Sequence, residues 1–150
     1  MRSEFTQTRN VEFAETDMAG IVHFSNYFRW MESCEMAFCR ELALPLVDFS
    51  PGQATGWPRV NVHCEFHAPF RFGDVVQVQL LVQKIGTKAI TYAFRFRKVV
   101  DGQAQPAVLA RGGITAVCVG GTAEGGMISQ AIPPEVRAKL APATPEQLAG

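Results

Sequence analysis

The chemistry-bearing residues of this chain gather around one aspartate. In "VEFAETDMAGIVHFSNYFRW", residues 11 to 30, Asp17 stands where a strand-like pattern gives way to a helix-like one, ringed by small and apolar residues. A carboxylate in such a place has an ordinary use, because Asp accepts backbone N–H bonds in turns and at helix starts. It also has a chemical use, since a carboxylate can activate water or itself attack a carbonyl carbon. A helix N-terminus just beyond it would offer free N–H groups and a favourable dipole to the oxygen that becomes negative. His23 is a second candidate, with the pKa range of a base near neutrality. His63 and His67 flank Glu65 on the polar parity of one stretch; a metal there would need another ligand, so they are read as a solvated or interface face and no metal is expected. Cys34, Cys39, Cys64 and Cys118 show no C-x-x-C or Cys/His ligand spacing, so they are read as reduced and mostly buried.

The elements that must position these residues follow from periodicity. Phe5 to Phe13 reads as a half-buried strand, with Phe5, Val11 and Phe13 on one parity. From Asn26 to about Leu42, Tyr27, Met31, Cys34, Phe38 and Leu42 recur every three or four positions, the pattern of one long amphipathic helix. Ser25 or Asn26 is its expected N-cap and Pro45 lies just beyond its end. Residues 48 to 58 carry two Pro and two Gly and read as a loop, in which Phe49 and Trp57 line a pocket or cover the core. Val60, Val62, Cys64, Phe66 and Ala68 then alternate strictly with polar residues. Strands are expected over 75–85, 88–99 and about 107–119, with Asp101-Gly102 as a hairpin turn. The last is apolar on both parities, as a central strand would be, and Gly112-Gly113 within it suggests a bulge or a close approach. "PPEVRAKL" has room for a helical turn or two before a frayed terminus.

A chain of 150 residues holds one core, placed at 1–120, with a short, partly ordered extension over 121–150. The 14 basic and 14 acidic residues cancel, so the total charge attracts neither nucleic acid nor an anionic membrane. No apolar stretch approaches the roughly 20 residues of a bilayer span, and "MRSEFTQTRN" lacks a signal-peptide core; a soluble, cytoplasmic protein is expected. Strand, long helix, then four strands gives an α+β chain in which an antiparallel sheet of about five strands wraps around one central helix. Such a sheet leaves edges to manage, which pairing with a second copy would do.

The segment around Asp17 resembles a known family. "EF-x-x-x-D-x-AGIV" from Glu12 to Val22, followed by "NY-x-RW" from Asn26 to Trp30, is similar to the active-site segment of the hotdog-fold acyl-CoA thioesterases, in particular the 4-hydroxybenzoyl-CoA thioesterase branch. "APFRFGDVVQVQLLVQKIGTKAI" resembles that family's second signature, and the likeness covers about residues 5 to 120. The resemblance implies hydrolysis of an aromatic or short-chain acyl-CoA, with Asp17 as nucleophile or general base. It further implies the Phe24 backbone N–H on the thioester carbonyl, Gly20 clearing space for the acyl group, and His23, Tyr27 and Glu32 around the acyl pocket. Lys88 matches a basic position that holds coenzyme A, although Gly86 and Thr87 stand where relatives carry more basic residues; Arg59 and Arg111 are further candidates on chemistry alone. Coenzyme A is part of the substrate, so no separate cofactor is implied, and a homodimer extending to a homotetramer is expected. Two other readings stay open: a non-catalytic acyl-CoA-binding module, and a hotdog dehydratase. The dehydratase ranks low, because Ser25 and Asn26 follow His23-Phe24 where its His-Phe-Pro-Gly segment has Pro and Gly.

Overall fold

The computed structural model describes residues 1–44, 55–122 and 124–150. Five antiparallel strands form the main sheet: β1 (Glu4–Asn10), β2 (Arg59–Phe66), β3 (Val75–Ile85), β4 (Ala89–Val100) and β5 (Gln103–Val117), in the order β1-β3-β4-β5-β2. Of the three helices among the described residues only α1 (Ser25–Glu41) is long; α2 (Pro134–Arg137) and α3 (Pro145–Ala149) are short. A small hairpin of β6 (Val119–Gly121) and β7 (Met127–Ser129) follows the main sheet. Pro45, Phe49 and most of the expected 48–58 loop lie outside the described residues, while Trp57 packs against the core.

Helix α1 connects the β1 side of the sheet to β2 at the opposite edge and contacts β1, β3, β5 and β2. Its buried stripe is Tyr27, Trp30, Met31, Cys34 and Phe38, at the three-and-four spacing the sequence shows. Gly112 in β5 lets it sit close: a Cβ there would come within 2.6 Å of Met31 Sδ. At Gly113 the obstacle would be the His63 ring of the neighbouring strand, so the glycine pair serves close approach. Asp101 and Gly102 both have positive φ, 52° and 77°, as a two-residue hairpin turn requires. Burial raises the thiol pKa of Cys34, Cys39 and Cys64 to about 12.

Three expectations need correction. The first strand stops at Asn10, because residues 13–15 form a 3-10 turn, and Phe13 is exposed, stacked edge-on against Phe72 instead of buried. The alternating apolar face of β2 is left open by the described residues: Val60, Val62 and Phe66 are 62%, 42% and 48% exposed on an edge strand. The segment after Gly120 is no frayed appendage, since Ile132, Val136, Leu140 and Ala143 are buried, Ala143 N–H donates to Val82 O at 2.7 Å, and Arg2 exchanges backbone bonds with Lys139 and Ala141.

One buried charge shapes the core. Glu35 of α1 is 1% exposed and accepts both terminal nitrogens of Arg59, while Glu32, 63% exposed, approaches the same guanidinium at 3.7 Å. Burial raises the Glu35 pKa from its ordinary 4.5, and Arg59 opposes that rise. Arg59→Ala leaves a buried carboxyl without its counter-charge and is expected to cost about 3 kcal/mol near pH 8. The raised pKa sets the sign: the folded state holds the proton more tightly than the unfolded one, so the cost fades as pH falls towards 4.5. Urea unfolding of both proteins at pH 8 and pH 5 reads this directly; a pH-independent difference would contradict it.

Candidate active site

The loop that carries Asp17 is assembled from local hydrogen bonds. After β1, Val11 N–H donates to Asp74 O at 2.9 Å, and the 3-10 turn Phe13–Glu15 follows, with Glu12 N–H donating to Glu15 Oε1 at 2.8 Å. Thr16 and Val22 then form an antiparallel bridge, closed by Asp17 N–H to Ile21 O at 2.8 Å and Gly20 N–H to Asp17 O at 3.0 Å. Gly20 turns the corner with φ of +78°, a conformation costly for residues with a Cβ. Its N–H is therefore engaged within the turn, and a Cβ built there would meet nothing within 4 Å. In the single chain the geometry at Gly20 is that of a turn residue.

Asp17 does not cap α1. Its Oδ1 accepts Ala19 N–H at 2.8 Å and Ile21 N–H at 3.5 Å, inside its own turn, and Oδ2 takes no protein donor among the described residues. The carboxylate forms part of the wall of two adjoining clefts. One, of about 350 Å³, is lined by Asp17, Val22, Phe24, Tyr27, Phe66 and His67 among others. The other, wider at about 710 Å³, has Asp17, Met18, His23, Ser25 and Arg29 in its walls. A group that borders both an apolar and a polar chamber is placed to act on a bond that joins an apolar to a polar portion of one molecule.

The start of α1 differs from the sequence expectation. Phe24, not Ser25 or Asn26, is the N-cap residue and offers no side-chain cap. Ser25 N–H instead donates to His23 Nδ1 at 3.3 Å, and the Ser25 hydroxyl contacts the same nitrogen at 2.8 Å. Asn26 Nδ2 donates back to Glu15 O at 2.9 Å. Among the described residues nothing accepts the Phe24 N–H, and no acidic side chain in the first turn offsets the positive end of the helix dipole.

The remaining candidates separate. Tyr27 lies in the apolar cleft, 3% exposed, with its ring packed edge-on against Phe66 and Phe96, and burial pushes its phenol up to about 12. His23 borders the wider, polar cleft, not the apolar one. Glu32 is in neither cleft and faces Arg59. Lys88 reaches Ser129 Oγ at 3.4 Å beyond the far end of β3, whose 11 residues place it about 33 Å along the strand from the Asp17 loop. Arg59 is committed to Glu35, and Arg111 donates to Gly150 O at 3.3 Å. His67, expected on a solvated or interface face, is exposed and also lines the apolar cleft, while Arg29, one turn after Ser25 and on the same face, lines the wider cleft although the sequence reading does not single it out. Among the described residues no three His, Cys, Asp or Glu side chains cluster as a metal site would, and no helix is long and apolar enough to cross a membrane.

Comparison with known proteins turns this geometry into kinship, because residues 11–146 match the model of the "Thioesterase-like superfamily". The chain belongs to that family. A putative esterase of Aquifex aeolicus is 35% identical over 92 residues, 60% of this chain and 70% of its own length. A 1,4-dihydroxy-2-naphthoyl-CoA hydrolase of Prochlorococcus marinus is 31% identical over 97 residues, 60% of this chain and 63% of its own, so the match spans less than two thirds of that relative. Among solved structures, a gentisyl-coenzyme A thioesterase superposes with a TM-score of 0.74 at 28% identity, over 91% of this chain and all of the other. The expectation of a hotdog thioesterase is thereby met at the level of family and fold. The family match runs through the buried C-terminal segment, in keeping with its backbone bonds to Arg2 and to Val82 of β3.

Proposed function

We propose that this thioesterase-family protein hydrolyses the thioester of an aromatic or short-chain acyl-CoA to the free acid and coenzyme A. The observation that carries the reading is the placement of Asp17 and of Phe24, whose N–H has no acceptor among the described residues, in the walls of one apolar cleft. In this mechanism the acyl group enters the apolar cleft beside Tyr27, and the pantetheine arm leaves through the wider cleft past His23 and Arg29. The Phe24 N–H and the helix dipole hold the carbonyl oxygen as it becomes negative. Asp17 either attacks the carbonyl carbon, giving a mixed anhydride that water then opens, or takes a proton from water as it attacks. In both routes the thiolate of coenzyme A is the leaving group. An aromatic acyl portion is supported by the ring-lined cleft and by the naphthoyl-CoA and gentisyl-CoA activities named for the relatives.

The proposal includes a homodimer, extending to a homotetramer, because an edge strand with Val60, Val62 and Phe66 exposed would be covered by a second copy. Lys88, beyond the far end of β3, would then meet coenzyme A only on the partner's site. Free-thiol release measured across benzoyl-, hydroxybenzoyl-, acetyl- and palmitoyl-CoA tests the activity. Turnover with an aromatic or short acyl group is expected; binding without thiol release from any of them would favour the non-catalytic module.

A further inference from the structure

Glu15, two residues before Asp17, is the point at which the Asp17 loop is fastened to the rest of the protein. Its side chain is 13% exposed and both carboxylate oxygens are used. Oε1 accepts Glu12 N–H at 2.8 Å; Oε2 accepts the indole N–H of Trp30 at 2.7 Å and faces Arg9 Nη2 at 3.8 Å. The Arg9 guanidinium lies over the Trp30 ring, 5.4 Å from its centre, and its buried Nε has no hydrogen-bond partner among the described residues, so the Glu15 carboxylate is the nearby anion for that charge. The backbone carbonyl of Glu15 does as much, accepting His23 N–H at 2.8 Å and Asn26 Nδ2 at 2.9 Å. One residue therefore joins β1, the 3-10 turn, the residue preceding Phe24 and two positions of α1.

Between these anchors, residues 16 to 22 are closed mainly on themselves, through the Asp17–Ile21 and Asp17–Gly20 bonds, and residues 17 to 20 are exposed. Nothing within that turn sets its distance from the helix start. Val22 N–H to Phe70 O, at 2.9 Å, holds its outgoing end to the buried Phe70 of the β2–β3 connection; Glu15 holds its incoming end to the helix. We propose that Glu15 is a positioning residue, which fixes the Asp17 carboxylate against the Phe24 N–H without touching substrate. This rests on the hydrolase reading above. A misplacement of about 1 Å in such a pair can cost about a hundredfold in rate.

The chemistry of the acceptor makes Glu15→Gln the informative change. Both Glu oxygens accept N–H groups, whereas an amide has one oxygen and one NH2, so either the Glu12 N–H or the Trp30 indole must face another donor. The variant keeps the volume and is expected to lower kcat about 10- to 100-fold with KM within about twofold, the pattern of lost alignment and not of lost binding. Hydrogen exchange followed by mass spectrometry should quicken over residues 16–23 and stay unchanged over the body of α1. A kcat loss no larger than the unfolded fraction, exchange that rises throughout the chain, or unaltered exchange at 16–23 would each overturn the inference. Wild-type protein that turns over no acyl-CoA overturns the hydrolase reading and the positioning role of Glu15 with it. Activity lost in Asp17→Asn yet retained in Glu15→Gln overturns this inference alone.

Discussion

Asp17→Asn is expected to lower kcat for thioester hydrolysis by about a thousandfold, within the range that general-base groups contribute, while leaving the fold and its stability in place. The structural half of that expectation comes from the carboxylate's two unlike oxygens. Oδ1 accepts Ala19 N–H at 2.8 Å, and an Asn amide oxygen in the same position can keep that bond. Oδ2 takes no protein donor among the described residues, so an NH2 group in its place meets no opposing N–H. The chemical half is that an amide can neither attack a carbonyl nor accept a proton from water at neutral pH, whichever route operates. Thiol release by the variant, together with its thermal midpoint, separates the two halves. Hydrolysis near the wild-type rate would remove Asp17 from the chemistry, and a collapsed midpoint would return it to a structural role in the turn.

What was legible before the structure was local, and what was missed depends on neighbours. The alternation of Val76, Val78, Leu80 and Val82 fixed β3, and Asp101-Gly102 fixed the hairpin, because each is a property of a few adjacent residues. Val60, Val62 and Phe66 alternate just as cleanly, yet they are exposed, since alternation reports which residues share a face and not whether anything covers it. The Glu35–Arg59 pair joins residues 24 apart, so Glu35 reads as one more polar residue of an amphipathic helix. Ile132, Val136, Leu140 and Ala143 are buried in a segment whose backbone bonds to Arg2, to Val82 of β3 and to Thr87; their Ala- and Pro-rich surroundings carry no strand period and only one turn of helix. At the site, residue types single out Asp17 and the helix start, but not Glu15 two residues before it. Its work is done by acceptor geometry towards Trp30 and Arg9, which spacing alone does not disclose.

The oxyanion assignment has an equally direct test, because the group in question is a backbone N–H that proline lacks. Phe24 has φ of −55°, inside the range a proline ring imposes, and its N–H makes no bond with the described residues, so Phe24→Pro removes a donor that the fold does not use. Proline at the opening of a helix is well tolerated for the same reason. The substitution also deletes a ring from the cleft wall, and Phe24→Ala supplies the control, since it deletes the ring and keeps the N–H. Loss of one preorganised oxyanion donor costs about 100- to 1,000-fold in kcat, so Phe24→Pro should fall below Phe24→Ala by that margin, with KM similar in the two. His23 gives the comparison an internal check: its Nδ1 accepts Ser25 N–H, and that bond should persist in both variants as an unchanged imidazole signal in the NMR spectrum. Equal kcat in the proline and alanine variants would mean that the carbonyl oxygen is held elsewhere, and the free end of α1 would then need another explanation.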